Sequence, residues 1–201
     1  MNKVGYMAVA AAICFTGMLT GCGNGINNEV VTPLMTETVD YADSLALGGC
    51  RASSSAKVDF PESGDSTLVN NLRAWIAGRL VPYNGMTSAD NTMLHGMDTV
   101  TNGESLVKTA CRIALDMAEA DFVQFVEDSI STTYEYDYSV AKVYETTTFV
   151  SYTSQTYVYS GGAHGGIIAS GVVFARADGE QYGWNNIFLG ASLDAVRGRI
   201  E

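Results

Sequence analysis

The run Tyr157-Val158-Tyr159-Ser160-Gly161-Gly162-Ala163-His164-Gly165-Gly166 concentrates more reactive and conformationally special groups than any other stretch of this chain. Paired glycines reach positive φ and allow close backbone approach, so such a loop turns sharply and aims several N–H groups at one point. A carboxylate or another small anion fits that arrangement. The run lacks the Gly-Lys-Ser/Thr ending of a phosphate loop, and it joins two strand patterns instead of opening a helix, which argues against nucleotide phosphate. The simpler reading is a glycine-rich hairpin loop with one polar His steadying the turn.

His164 carries a ring that exchanges protons near neutral pH, the property of a general base or a metal ligand. The other histidine, His95, lies in an Asn-, Gly- and Met-rich segment, and no His-x-His, His-Glu-x-x-His or Cys-x-x-Cys spacing occurs. Ser160 precedes His164 by four residues, without a Gly-x-Ser-x-Gly elbow or a third triad member. The 22 acids offer too many carboxylate pairs to single out a glycosidase couple. No catalytic residue, metal or cofactor is therefore assigned. The candidate functional loop is Ser160, Gly161, Gly162, Ala163, His164 and Gly165.

Tyr134, Tyr136 and Tyr138 alternate with polar residues and share one strand face. Together with Tyr157 and Tyr159 they form a candidate binding face for sugar rings or an apolar protein patch; the alternative is a Tyr-rich sheet face packed on helices. Cys50 and Cys111 either pair in one disulfide or stay as buried thiols.

These groups need elements to hold them. Ala56, Val58 and Phe60 alternate with polar residues in a strand that Pro61 ends. Asp65 or Ser66 caps a helix with Leu68, Leu72, Trp75, Ile76 and Leu80 on one side. A second helix starts near Gly103-Glu104, with Val107, Cys111, Ala114, Ala118, Phe122 and Phe125 on one face. Its other face carries Lys108, Arg112, Asp116 and Glu119. After Ser129 the period drops to two: Tyr134–Val140, then Val143–Tyr152, Gln155–Tyr159 and Ile167–Arg176 read as strands. Asp178-Gly179 marks a hairpin, and Ser192 opens a helix within which the chain stops. The expected fold is α+β: two helices packed on an antiparallel β-meander, C-terminally incomplete. Trp184 and Phe188 are core candidates.

The chain has 201 residues, 11 Lys+Arg against 22 Asp+Glu and 47% hydrophobic residues, for a net charge of −11. That excludes a disordered or coiled-coil chain, and nothing basic is present to neutralise nucleic-acid phosphates. Residues 1–22 begin with one charge, Lys3, continue through an apolar run to Leu19, and end Leu19-Thr20-Gly21-Cys22. Small residues before the cut and a Cys at it look like a bacterial lipobox. The competing reading is an uncleaved anchor. Residues 1–21 are thus a lipoprotein signal peptide that takes Cys14 with it, and Cys22 is the lipidated residue. Residues 22–49 are a flexible tether, and 50–201 are the folded domain (50–130 strand and two helices; 131–201 sheet and final helix). Loss of Lys3 with the signal takes the net charge from −11 to −12. The location is the bacterial cell envelope, and Gly23 after the lipidated Cys favours the outer over the inner membrane.

The sequence Tyr157-x-Tyr159-Ser160-Gly161-Gly162-Ala163-His164-Gly165, with Phe174, Gly179 and Ile187-Phe188, resembles the RsiV-like domain of unknown function. Residues 56–80, with Val58-Asp59-Phe60-Pro61 and Trp75-Ile76, are similar to the N-terminal part of its lipoprotein versions. The resemblance covers residues 50–201. That domain forms the extracytoplasmic part of a lysozyme-sensing anti-sigma factor and occurs beside a peptidoglycan deacetylase. The resemblance implies a non-catalytic binding or sensing module anchored to a membrane, with a basic lysozyme-type muramidase or cell-wall glycan as partner. No lysozyme-contacting residue is carried over from it. The alternatives are a wall-acting hydrolase or deacetylase-associated enzyme using His164 and a carboxylate, and a purely structural lipoprotein.

Overall fold

The computed structural model describes residues 32–80 and 102–183. The lipobox with Cys22, Cys14, His95, Trp184, Ile187, Phe188 and the helix expected after Ser192 lie outside the described residues. Seven elements follow in chain order. Strands β1 (Met35–Leu47) and β2 (Cys50–Ser63) form an antiparallel hairpin. Helices α1 (Ser66–Arg79) and α2 (Gly103–Glu127) come next. Strands β3 (Thr133–Glu145), β4 (Phe149–Ser160) and β5 (Gly166–Ala175) complete the sheet.

The architecture is α+β, a five-stranded, mostly antiparallel sheet in the order β1-β2-β3-β4-β5 with two helices. It corrects the simple meander at one place: β2 and β3 are parallel, with Ala52 opposite Tyr134 and Val58 opposite Val140. A parallel pair cannot be closed by a tight turn and needs a long crossover, which here includes both helices. The expected tether over 22–49 is corrected as well. From Met35 onward it is β1, whose Val39, Tyr41 and Leu45 pack partly buried against the core. Its alternation is diluted by Thr, Asp and Ser because an edge strand buries little.

One more boundary moved. The stretch Val143–Tyr152 is two strands, because Thr146 turns the chain. Its Oγ1 accepts the N–H groups of Thr148 (3.1 Å) and Phe149 (3.0 Å), a local hydroxyl-to-backbone bond that competes with strand pairing.

Helix α1 begins where Asp65 accepts from the Thr67 and Leu68 N–H groups at 3.0 and 3.1 Å. Asn102 caps α2 through the Ser105 N–H at 2.8 Å. Leu68, Leu72 and Ile76 from α1 and Leu80 at its C-terminal cap are buried, with Val107, Cys111, Ala114, Ala118 and Phe122 from α2. They meet Val58 and Phe60 of β2, Tyr138 and Val140 of β3, and Val150 and Tyr152 of β4. Phe122 meets Tyr134 edge-on with ring centroids 5.0 Å apart; such a pair contributes about 0.5–1.5 kcal/mol beyond the area it buries.

Cys50 and Cys111 are free buried thiols, so the disulfide alternative is not realised. The Cys50 thiol donates to the Ile130 carbonyl at 3.4 Å. Cys111 sits beside Ser54, and burial pushes its thiol up to about 11. Ser54 is four residues along β2 from Cys50, a strand rise of roughly 13 Å. The neighbour beside Cys111 is thus well separated along the strand from Cys50, whose thiol bonds elsewhere.

Candidate functional site

The two ends of the sheet are built differently, and the glycine-rich loop defines one of them. Residues 161–165 connect β4 to β5, with φ of 82° at Gly161 and 99° at Gly162. Only glycine takes those angles without strain. The tyrosines of β4 hold the loop: the Tyr159 hydroxyl donates to the Gly162 carbonyl at 2.9 Å. Tyr157 lies so close over Gly165 that a Cβ there would be 2.5 Å from the ring. On the other side Gly161 abuts Thr132, where a Cβ would stand 2.9 Å from the hydroxyl oxygen. His164 is exposed, and its Nδ1 pairs with the Gly165 carbonyl at 3.2 Å. The ring steadies the tip and does not meet Ser160 in a catalytic arrangement.

Of the five tyrosines read as a binding face, the structure separates three. Tyr134, Tyr136 and Tyr138 are buried under the helices, which corrects their assignment to an open face. Even positions of β3 point at α2 because Glu135, Asp137 and Ser139 take the solvent side. Burial, then the Asp121 carboxylate among the causes, raises the Tyr134 phenol, and burial pushes Tyr136 up to about 12. Burial likewise raises Tyr138 and Tyr152, whose hydroxyls have no protein partner. Tyr157 and Tyr159 are half-buried on the opposite face, with Asp137 across from Tyr157 and Glu135 across from Tyr159. On that face Ser139, Thr153, Gln155 and Ala169 line a shallow depression of about 490 Å³.

Sequence reasoning missed what surrounds the tip. The C-terminal end of α2 exposes Val123, Val126 and Ile130 at 53, 39 and 47%. The helix closes by a two-bond cap, with Ser129 N–H donating to the Val126 carbonyl (3.1 Å) and Ile130 N–H to Phe125 (2.8 Å). Ser129 takes a φ of 58°, a position glycine usually fills. Its signal in the sequence is the run of acids without a base after Arg112: Asp116, Glu119, Asp121, Glu127 and Asp128.

The far end of the sheet is stitched by charge. Glu145 accepts from the Leu34 N–H and from Lys142 Nζ, each at 3.0 Å, and pairs with Arg176. Lys142 Nζ also donates to the Leu34 carbonyl at 3.2 Å, and Arg176 to Thr32. Burial raises the Glu145 carboxyl, but the Leu34 N–H, Lys142 and Arg176 outweigh it and hold it below the ordinary value of 4.5.

Among the described residues, no group of three or more His, Cys, Asp or Glu is placed to hold a metal ion. No described helix is long and apolar enough to cross a membrane. No protein-family model matches the sequence, and neither does any curated protein. Solved structures do. A DUF3298 family member from Bacteroides fragilis superposes with a TM-score of 0.64 at 15% identity, covering 84% of this chain and 66% of that one. A DUF3298 family protein from Pseudomonas aeruginosa gives a TM-score of 0.44 at 14% identity, covering 84% and 64%. This chain thus spans just under two thirds of the length of these structures. The likeness to the first is one of fold: a domain architecture whose function is unknown.

Proposed function

We propose that this protein is a lipid-anchored lipoprotein of the bacterial cell envelope whose α+β domain is a non-catalytic binding or sensing module. Its partner is a basic lysozyme-type muramidase or cell-wall glycan. The observation that carries this reading is the construction of the β4–β5 tip. Its backbone is fixed by two positive-φ glycines and two tyrosine contacts, and its one ionisable ring is turned onto a neighbouring carbonyl. A preorganised, projecting loop suits recognition, since little ordering entropy is lost when it binds. The lipobox ending at Cys22 supports the anchor, and the similarity of residues 50–201 to the RsiV-like family supports the partner class.

Two experiments test it. The Cys22→Ala protein should leave the membrane fraction after carbonate washing; its retention would refute lipid anchoring. The domain should bind a lysozyme more tightly than an unrelated protein of equal positive charge, and the difference should survive physiological salt, where the Debye length is about 8 Å. Equal affinities that vanish together with salt would reduce the binding to generic attraction by a chain of net charge −11.

A further inference from the structure

We infer that the pole formed by the C-terminal end of α2, the β1–β2 turn and the segment 129–132 is a docking surface for a basic, amphipathic polypeptide segment. The inference rests on the reading of the domain as a binding module and names the surface and the chemistry it takes.

The surface has an apolar centre. Val123 and Val126 are one helical turn apart, with Cβ atoms about 5–6 Å from each other. The cap folds Ile130 back on the same turn by its bond to Phe125. Gly48 of the β1–β2 turn lies directly against Val126, where a Cβ would be 2.7 Å from a methyl group. The turn and the helix end therefore form one continuous surface, and Gly161 joins the β4–β5 tip to it through Thr132. All three apolar side chains stay exposed, while Phe122, one residue from Val123, is fully buried.

The helix side of this surround is negative, and Arg51, exposed beside Thr132, is the base at its edge. Glu119 and Glu127 flank Val123 at four residues on either side, and Asp128 follows at the cap. Of the two acids at the helix end, Asp128 accepts from Gln124 at 3.2 Å, a neutral donor that leaves its charge in place. The last turn of α2 holds no base. The helix dipole adds roughly half a negative charge at this same end, so acids here cost stability where Lys or Arg would raise it. Charge that works against the helix is explained by a cationic partner, and an apolar centre within it by a partner that also presents aliphatic side chains. A neutral glycan satisfies neither half.

The probe is a synthetic amphipathic helical peptide of Leu and Lys, titrated by calorimetry against the domain at physiological salt. Glu127→Lys with Asp128→Lys should weaken binding at least tenfold, and the substitutions fold well because they match the dipole. Val123→Ser with Ile130→Ser, both exposed, should weaken it at least fivefold without a change of charge. Glu37→Lys with Asp40→Lys on β1 makes the same charge change elsewhere and should cost less than twofold. Equal losses in the two charge-reversed proteins would overturn the inference, as would an unaffected serine variant or no binding to the unmodified domain. Lysozyme binding measured on the same proteins keeps the two readings apart: binding that is retained and indifferent to the pole substitutions leaves the function standing and removes this surface from it.

Discussion

The two ends of the sheet solve the same problem, holding a chain reversal in place, by opposite means. At the end where residues 32–34 join the domain, Glu145, Lys142 and Arg176 reach across more than a hundred residues of sequence to the backbone of Thr32 and Leu34. At the other end the β4–β5 tip is shaped by glycine torsions and tyrosine packing, and the neighbouring helix end leaves acids and apolar groups facing solvent. Charges are paired and partly buried at the first end, and at the second no described base pairs with Glu119, Glu127 or Asp128. The comparison teaches that this domain concentrates its paired charges where residues 32–34 meet the sheet and leaves acids and apolar groups facing solvent at the opposite pole.

The sharpest way to break that contrast is at the stitched end. Glu145→Ala should destabilise by about 2–4 kcal/mol in chemical denaturation, because Arg176, with its side chain only 6% exposed, is left without its carboxylate. A loss below about 0.5 kcal/mol would place this end with ordinary surface ion pairs. The pH dependence carries the same sign. A carboxyl held below its unfolded value contributes stability that is present above about pH 4.5 and lost as pH falls through the folded pKa. Glu145→Gln should flatten that acid limb of the stability curve.

At the tip, Gly161→Val should cost roughly 1–3 kcal/mol, from strain at φ 82° and from the Thr132 hydroxyl in its path. His164→Ala should change stability by less than about 0.5 kcal/mol, since the ring is exposed. A larger loss at His164 than at Gly161 would show that side-chain chemistry, not backbone conformation, builds the tip. The core between the two ends gives the one change that does not destabilise. Tyr152→Phe removes a buried hydroxyl without a protein partner and should leave stability unchanged or raise it by up to about 1 kcal/mol. With Tyr136, Tyr138 and Tyr152 all raised by burial, the unfolded chain ionises first above pH 10. Stability should then fall as pH rises beyond that point, and far-UV circular dichroism at increasing pH checks it.

Both helices and the strands over β2 and β3 were legible in the sequence because each buries a full stripe: Leu68, Leu72 and Ile76 in α1, or Tyr134, Tyr136, Tyr138 and Val140 in β3. β1 was not, because as an edge strand it alternates half-buried residues with Glu37, Asp40 and Ser44. Thr146-Thr147-Thr148 read as strand because β-branched residues favour strands, while the turn depends on which hydroxyl finds a backbone N–H. Of the candidate site, the loop was legible from its glycines. The exposed pole was not, because periodicity sets Val123 apart from the buried Phe122 without showing that Gly48, Ile130 and Thr132 gather beside it.

The sequence by itself determined the periodicities, and with them the element types, the start of the first helix at Asp65 or Ser66, and the positive-φ tip. These are local consequences of side-chain spacing and backbone sterics. Only the tertiary structure decided the partners. It set β2 parallel to β3 and turned Tyr134, Tyr136 and Tyr138 inward, and it kept Cys50 and Cys111 apart. It brought Thr32 to Arg176 and set the end of α2 beside the β4–β5 tip. Each of these relates residues distant along the chain, so each depends on which surfaces bury together when the whole sheet closes on its helices, a quantity that no local pattern encodes.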